Sequence, residues 1–202
     1  MRDADMAMNR IAIIGGGPGG LMLARLLQCY GRSPVVFERD THGDERPQGG
    51  SLDLHSQTGQ YAMRQAGLEI AFAAASRPED QGDRLYDADG TLLFDRDDPT
   101  DDRPEIDRTA LRNILLEALL PGTVRWGCRV AGIIPGANGF VLVGKGWTEE
   151  FDVVVGADGA WSQVRPMLSD ATPAYEGVTP VALGFDPPSH PAINRLSADA
   201  PP

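Results

Sequence analysis

The sequence has few residues of the kinds that build metal centres, disulfide frameworks and nucleic-acid surfaces. Its 202 residues include two cysteines, three histidines and a single lysine, Lys145. Cys29 and Cys128 lie far apart without a Cys-x-x-Cys pair, so we predict neither a metal site nor a disulfide framework. The 18 basic and 29 acidic residues give a net charge of −11, which disfavours nucleic acid as a partner.

Long apolar runs are also lacking. The uncharged stretch 11–24 is rich in glycine and shorter than the roughly 20 apolar residues of a membrane-spanning helix. The first ten residues are polar and partly acidic, unlike a signal peptide. These patterns predict a cytoplasmic protein with no membrane partner. With 42% hydrophobic residues, the chain can bury one core and begin a second.

The N-terminal part has the pattern of a βαβ unit. The apolar run Ile11–Ile14 predicts a strand that is buried on both faces of a parallel sheet. A glycine-rich loop at 15–20 follows, and then an amphipathic helical pattern that ends at Gly31. Residues 34–38 predict the second strand.

The rest of the chain predicts inserted helices and hairpins, followed by a return to the parallel sheet. Residues 56–75 have a helical pattern that Gly67 interrupts, and residues 87–90 predict a hairpin turn. Asp107 is suited to cap a further helix through its side chain. The apolar run 151–155 predicts one continuous later strand of the parallel sheet. The predicted fold class is therefore α/β, with a Rossmann-like arrangement.

The spacing Gly-x-Gly-x-x-Gly at Gly15, Gly17 and Gly20 is typical of dinucleotide binding. The first glycine permits a tight turn, the second lets the backbone approach a pyrophosphate, and the third allows close helix packing. Glu38, at the end of the second predicted strand, can accept hydrogen bonds from both ribose hydroxyls of an adenosine. A carboxylate there would repel a 2′-phosphate, so the motif predicts FAD or NAD rather than NADP at this site.

The sequence resembles the group A flavoprotein monooxygenases of the para-hydroxybenzoate hydroxylase type, and it is most similar to their tetracycline-inactivating branch. The segments that carry the resemblance are 11–21, 37–40, 49–55, 104–112 and 152–159, together with Ser162, Val164 and Arg165. The resemblance implies bound FAD, NADPH or NADH as reductant, and molecular oxygen as co-substrate. It also implies hydroxylation of a small aromatic or enolic substrate, polycyclic in the tetracycline-inactivating branch, through a flavin C4a-hydroperoxide.

The resemblance also implies roles for individual residues in binding FAD. The residues that it assigns to the FAD pyrophosphate loop are Gly15, Gly17, Pro18, Gly19 and Gly20. By the same resemblance Glu38 holds the adenosine ribose, Arg39 lies against the adenine, and Asp53 contacts the ribityl region. Asp158 and Gly159 match a motif near the pyrophosphate and the incoming NADPH, although Asp-Gly also favours an ordinary turn.

Three arginines complete the set of implied cofactor contacts. Arg46 matches a contact to NADPH, and Arg108 matches a further contact to FAD. Arg112 lies one turn beyond Arg108, and the helical pattern places both off the apolar stripe, where they can point at a diphosphate. We predict no catalytic side chain and no metal ligand, because a flavin carries the reaction chemistry itself and no nucleophile–base set is visible.

The family continues into a substrate-binding β-sheet and a third flavin motif, Gly-Asp-Ala-Ala-His, that this sequence lacks. We therefore predict an incomplete FAD-binding domain at 1–170, and at 171–202 either the beginning of a substrate domain or a disordered tail. Three interpretations stay open. The chain is an N-terminal portion of a monooxygenase, a non-catalytic flavin- or nucleotide-binding module that self-associates or is completed by another chain, or a related halogenase or oxidase. A halogenase would need lysine-bearing and tryptophan-rich motifs that are not visible.

Overall fold

A computed structural model describes residues 10–46, 48–78, 83–96 and 102–179. The strands are β1 (Ile11–Ile14), β2 (Val35–Phe37), β3 (Ser51–Asp53), β4 (Asp83–Tyr86), β5 (Leu92–Arg96), β6 (Glu105–Asp107), β7 (Val124–Arg125), β8 (Val130–Pro135), β9 (Phe140–Gly144), β10 (Trp147–Phe151) and β11 (Val153–Gly156). The helices are α1 (Pro18–Cys29), α2 (Gly59–Gln65), α3 (Glu69–Ala75) and α4 (Arg108–Ala118), with a 3₁₀ turn at Arg165–Met167.

The centre of the fold is a four-stranded parallel sheet with the order β11-β1-β2-β7. Strand β1 pairs in parallel with β2 on one side and with β11 on the other, and β2 pairs in parallel with β7. The predicted βαβ unit is confirmed, because α1 connects β1 to its neighbour β2. Two smaller antiparallel pairs, β3-β6 and β4-β5, are inserted between β2 and β7.

Both faces of the parallel sheet are covered, and the alternation of side chains along its strands divides the core. Ala12 and Ile14 face the antiparallel sheet β8-β9-β10, where they pack with Phe37 and Phe151. Ile13, between them in sequence, faces the opposite side and packs with residues of α1. This alternation explains why β1 has no polar position, since successive residues of a strand point to opposite faces of the sheet.

A third apolar cluster joins the helices to the inserted strands. It contains Leu21 of α1, Met63 of α2, Phe72 of α3, and Leu111 and Leu115 of α4. The predicted division of 56–75 into two helices at Gly67 is confirmed by α2 and α3, and the predicted hairpin is confirmed by the antiparallel pair β4-β5.

The prediction of one continuous strand at 151–155 is wrong. Phe151 ends β10, where it pairs with Phe140 in the antiparallel sheet, and Val153 begins β11 in the parallel sheet. The chain changes sheets at Asp152, whose carboxylate accepts a hydrogen bond from the Arg10 backbone N–H at 2.6 Å. An apolar run does not reveal such a change, because Phe151 and Val154, on either side of it, pack into the same cluster.

The prediction of a side-chain cap by Asp107 is also wrong. Asp107 occupies the N-cap position of α4, but its side chain makes no capping hydrogen bond. Its carboxylate lies 3.2 Å from the Arg77 guanidinium, and this ion pair orients it away from the helix N–H groups.

The C-terminal part of the described chain contains little regular structure. Residues 172–179, the described part of a region with strand-like composition, form no strand, and residues 180–202 lie outside the described residues. Among the helices that the structure describes, none is long and apolar enough to cross a membrane.

The core packing generates a prediction for Leu115, whose side chain is 1% exposed in the cluster of α1 to α4. The substitution Leu115→Ala should lower the free energy of unfolding by about 2–5 kcal/mol, because it removes buried methyl groups and leaves a cavity. The matched control is Leu168→Ala, since the Leu168 side chain is 83% exposed. Urea denaturation measures both variants. Equal losses of stability would contradict this assignment of the core.

Candidate functional site

A cleft of about 410 Å³ lies where β1, β2 and β11 end at their carboxyl termini. It is lined by Gly15 and Gly17 of the glycine-rich loop, by Glu38 and Arg39 after β2, and by residues 157–161 after β11. In open parallel sheets, ligands bind outside the carboxyl ends of the strands. The position of the cleft therefore marks it as the candidate site.

The glycine-rich loop is packed so closely that two of its glycines have no room for a side chain. Gly15 has a φ of +107°, and a Cβ atom there would lie 2.4 Å from the carbonyl oxygen of Ala157. A Cβ at Gly20 would lie 2.1 Å from the carbonyl oxygen of Gly15. The positive φ of Gly15 fits the tight turn expected at the first glycine of the motif, and the contact at Gly20 fits the close helix packing expected at the third.

Gly17 differs from these two glycines because the space beside it is open. A Cβ at Gly17 would meet no protein atom within 4 Å, and the residue lines the cleft. Gly17 is the N-cap of α1, Pro18 follows it, and the first turn of α1 contains no acidic residue. The positive end of the α1 dipole is thus available to an anion, which is the arrangement that binds a pyrophosphate.

Glu38 lies at the floor of the cleft and is 4% exposed. One carboxylate oxygen, Oε2, accepts a 2.6 Å hydrogen bond from the Gly16 backbone N–H, and the other, Oε1, accepts a 3.0 Å hydrogen bond from the Asp40 N–H. An ionised carboxylate has about four acceptor positions, so each oxygen keeps one for a ligand hydroxyl. This geometry fits a ribose diol at Glu38.

Three arginines line the cleft beside the carboxylates of Glu38 and Asp158. Arg39 and Arg46, both predicted, line the cleft together with Arg129, which the sequence analysis did not identify. Arg46 is held by Asp40, with its Nε atom 2.9 Å and 3.0 Å from the two carboxylate oxygens. Three guanidinium groups around one cleft favour a ligand that carries phosphate.

The loop after β11 uses Asp158 for its own structure. The carboxylate of Asp158 accepts hydrogen bonds from the Ser162 hydroxyl at 2.6 Å and from the Gln163 backbone N–H at 2.7 Å. Asp158 and Gly159 both line the cleft. The only helical segment that follows in the described residues is the 3₁₀ turn Arg165–Met167, which is too short to present a helix dipole.

Several residues predicted to bind cofactor lie outside this cleft. Among these, Asp53 accepts a hydrogen bond from the Arg103 guanidinium at 3.3 Å, and Arg108 is exposed at the beginning of α4. Pro18, Gly19 and Gly20 belong to α1 but do not line the cleft. The roles predicted for these residues stay predictions.

The burial of Arg112 was not predicted. Arg112 lies off the apolar stripe of α4, as expected, but its side chain is 1% exposed and does not line the cleft. Its Nε atom donates a 3.1 Å hydrogen bond to the carbonyl oxygen of Gly16, beneath the glycine-rich loop. The helical pattern could not show this, because the loop covers the polar side of α4.

Among the cleft-lining residues that were not predicted, four carry polar groups in their side chains: Cys128, Arg129, Trp161 and Gln163. Cys128 and Arg129 reach the cleft because the Cys128 N–H donates a 2.8 Å hydrogen bond to the carbonyl oxygen of Glu38. No spacing in the sequence signals this contact, since it joins segments 90 residues apart in the chain.

Comparisons with known proteins agree with this geometry. A family model described as "FAD binding domain" matches residues 8–187. The monooxygenase penA of Penicillium thymicola is 35% identical over 192 residues, which cover 86% of this chain and 43% of that protein. The 3-amino-4-hydroxybenzoate 2-monooxygenase PtmB3 of Streptomyces platensis is 32% identical over 177 residues, which cover 84% of this chain and 44% of that protein.

A solved structure also has a similar fold. The crystal structure of the tetracycline destructase Tet(51) superposes with a TM-score of 0.63 at 27% identity, covering 81% of this chain and 42% of that one. The chain thus spans somewhat less than half the length of the relatives that it matches. The family match over residues 8–187, together with a fold and a glycine-rich cleft suited to a dinucleotide, shows that this chain belongs to the FAD-binding-domain family of the FAD-dependent monooxygenases.

Proposed function

We propose that the chain binds the ADP portion of FAD in the cleft and serves an NAD(P)H-dependent monooxygenase reaction. The proposal rests on one observation: Glu38 and Gly17, which has open space beside it, line the same cleft. Glu38 would hold the ribose hydroxyls, and the N-terminus of α1 would face the pyrophosphate. Arg39 follows Glu38, and Arg129 follows Cys128, whose N–H is bonded to the Glu38 carbonyl, so both arginines would lie near the adenine.

The reaction itself is proposed from the relatives. When bound, FAD supplies the transfer of electrons from NADPH or NADH to molecular oxygen and of one oxygen atom to the substrate. We propose an aromatic or enolic substrate because PtmB3 is named for an aminohydroxybenzoate and Tet(51) for tetracycline. The resemblance gives Arg46 the contact to NADPH, and its place in the cleft supports that role. An antibiotic as substrate stays a hypothesis within this class.

We propose the division of the chain into an FAD-binding domain at 1–170 and the beginning of a substrate domain at 171–202.

A non-catalytic module is the second candidate function. It is favoured by the exposed apolar residues of the β4-β5 hairpin, where Leu93 is 60% and Phe94 48% exposed. Such a surface favours self-association or a complementing chain. The cytoplasmic location stays a prediction from the sequence.

One titration separates the candidate functions. The purified chain is titrated with FAD while flavin fluorescence and absorbance are recorded, and NADPH or NADH is then added in air. Saturable binding with NAD(P)H oxidation would support the monooxygenase proposal. Saturable binding without oxidation would support the binding module, and absence of FAD binding would contradict both.

Gly17 offers a test that separates FAD binding from folding. Gly17 has a φ of −77°, which alanine adopts readily, and its Cβ would meet no protein atom. We expect Gly17→Ala to keep the melting temperature of the free protein but to weaken FAD binding about 10-fold or more, since the methyl group would project into the cleft.

The matched control for Gly17→Ala is Gly132→Ala. Gly132 also has open space beside it, but it lies in β8 and does not line the cleft. This substitution should raise stability by up to roughly 1 kcal/mol, because glycine in a strand loses more conformational freedom on folding than alanine, and should leave FAD affinity unchanged. Equal FAD affinities for the two variants would count against the pyrophosphate position.

Glu38 offers a second test of the site. The substitution Glu38→Gln keeps the size of the side chain but replaces an acceptor oxygen with an NH₂ group that cannot accept a ribose hydroxyl. FAD affinity should fall by at least about 10-fold, as expected for losing hydrogen bonds to a charged group. The control is Glu117→Gln, on the exposed side of α4. Isothermal titration calorimetry measures both, and undiminished affinity in Glu38→Gln would exclude Glu38 as the ribose acceptor.

A further inference from the structure

We propose that Arg112 is a positioning residue for the FAD pyrophosphate, acting through the peptide bond between Gly16 and Gly17. The guanidinium lies behind the glycine-rich loop, on the side away from the cleft, and so would not touch FAD itself. Arg112 would instead fix the direction of the Gly17 N–H, the group that faces the phosphate. This inference rests on the proposed position of FAD in the cleft.

The first argument is the set of contacts that Arg112 makes. Its Nε atom donates to the carbonyl oxygen of Gly16 at 3.1 Å, and its Nη1 atom donates to the carbonyl oxygen of Gly43. The guanidinium also lies over the ring of Trp126, 5.5 Å from the ring centroid. One planar group thus joins the glycine-rich loop to the segment after β2.

The second argument is the geometry of the peptide bond. In a trans peptide the C=O and the N–H point in opposite directions. The Gly16 carbonyl points at Arg112, so the Gly17 N–H of the same peptide points away from Arg112. Gly17 lines the cleft and Arg112 does not, which directs this N–H toward the ligand side. The Gly16 N–H is fixed as well, by the Glu38 carboxylate.

Without both contacts a glycine peptide could rotate, because glycine occupies a wide range of φ and ψ angles at little cost. A flip of the Gly16–Gly17 peptide would turn a carbonyl oxygen toward the phosphate in place of an N–H. Arg112 on the carbonyl and Glu38 on the preceding N–H together hold the peptide in the orientation that binds an anion.

The third argument is that the geometry of the donors, rather than the pairing of charge, calls for an arginine at this position. The Nη2 atom of Arg112 is buried and, within the described part of the chain, has no hydrogen-bond partner. It forms an ion pair with Asp40 at 3.7 Å, but Arg46 binds the same carboxylate at 2.9 Å, so Asp40 keeps a partner when Arg112 is replaced. The two carbonyl contacts, by contrast, need a forked donor.

The test compares ADP with adenosine, two ligands that differ by the diphosphate. Arg112→Met keeps much of the side-chain volume but removes every donor. We expect it to weaken ADP binding about 10-fold or more relative to wild type and to change adenosine binding less than about twofold, since only ADP uses the Gly17 N–H. NMR titration follows both ligands, with adenosine at millimolar concentration. Arg64→Met, an exposed arginine on α2, is the control and should change neither affinity.

A purely structural role would give a different pattern. Loss of stability would lower the melting temperature and reduce ADP and adenosine binding in the same proportion, and this result would overturn the proposal, as would unchanged ADP binding. If Arg112→Met does not fold, Arg112→Lys serves, because lysine reaches one carbonyl but cannot bridge two. It should give a smaller loss that is still selective for ADP, and a loss shared equally with adenosine would overturn the proposal. Failure of the wild-type chain to bind ADP would instead contradict the proposed site.

Discussion

The hydrogen bond from the Gly16 N–H to the Glu38 carboxylate joins the two parts of the molecule on which the site depends. It connects the loop after β1 to the residue after β2, at a distance of 2.6 Å and in a nearly buried position. A charge-assisted bond of this kind is stronger than a neutral one, and burial protects it from competition with water. The same carboxylate keeps acceptor positions directed at the cleft. A single side chain thus holds the loop in place and, in the proposed site, also faces the ribose.

The rest of the fold brings these two loops to one edge. Because β1, β2 and β11 run in parallel, their carboxyl ends meet, and the three following loops surround one cleft. The antiparallel sheet β8-β9-β10 covers one face of the parallel sheet and carries Arg129, at its beginning, to the wall of the cleft. On the other face, α4 carries Arg112 beneath the glycine-rich loop. The parallel sheet, the antiparallel sheet and α4 thus each place a charged group in the cleft or directly behind it.

Local patterns were enough to predict the βαβ unit, the glycine-rich loop and Glu38. Strand β1 is apolar on both faces, the glycine spacing is fixed by close backbone contacts, and Glu38 follows β2 directly, so each signal lies within a short stretch of chain. Arg129 and the buried position of Arg112 could not be predicted in this way. Both depend on contacts between segments distant in sequence, and an arginine in a helical pattern is exposed by default. The change of sheet at Asp152 was missed because the apolar residues on either side of it, Phe151 and Val154, pack into one cluster.

The central claim is that FAD binds at the carboxyl ends of β1, β2 and β11. An NMR titration of the isotope-labelled chain with FAD tests it most directly, through the backbone amide shifts. The account predicts the largest changes at 15–17, 38–39, 128–129 and 157–161, with small changes in the β4-β5 hairpin and on the exposed surface of β8-β9-β10. Saturable FAD binding whose largest shifts fall outside those four segments would contradict it.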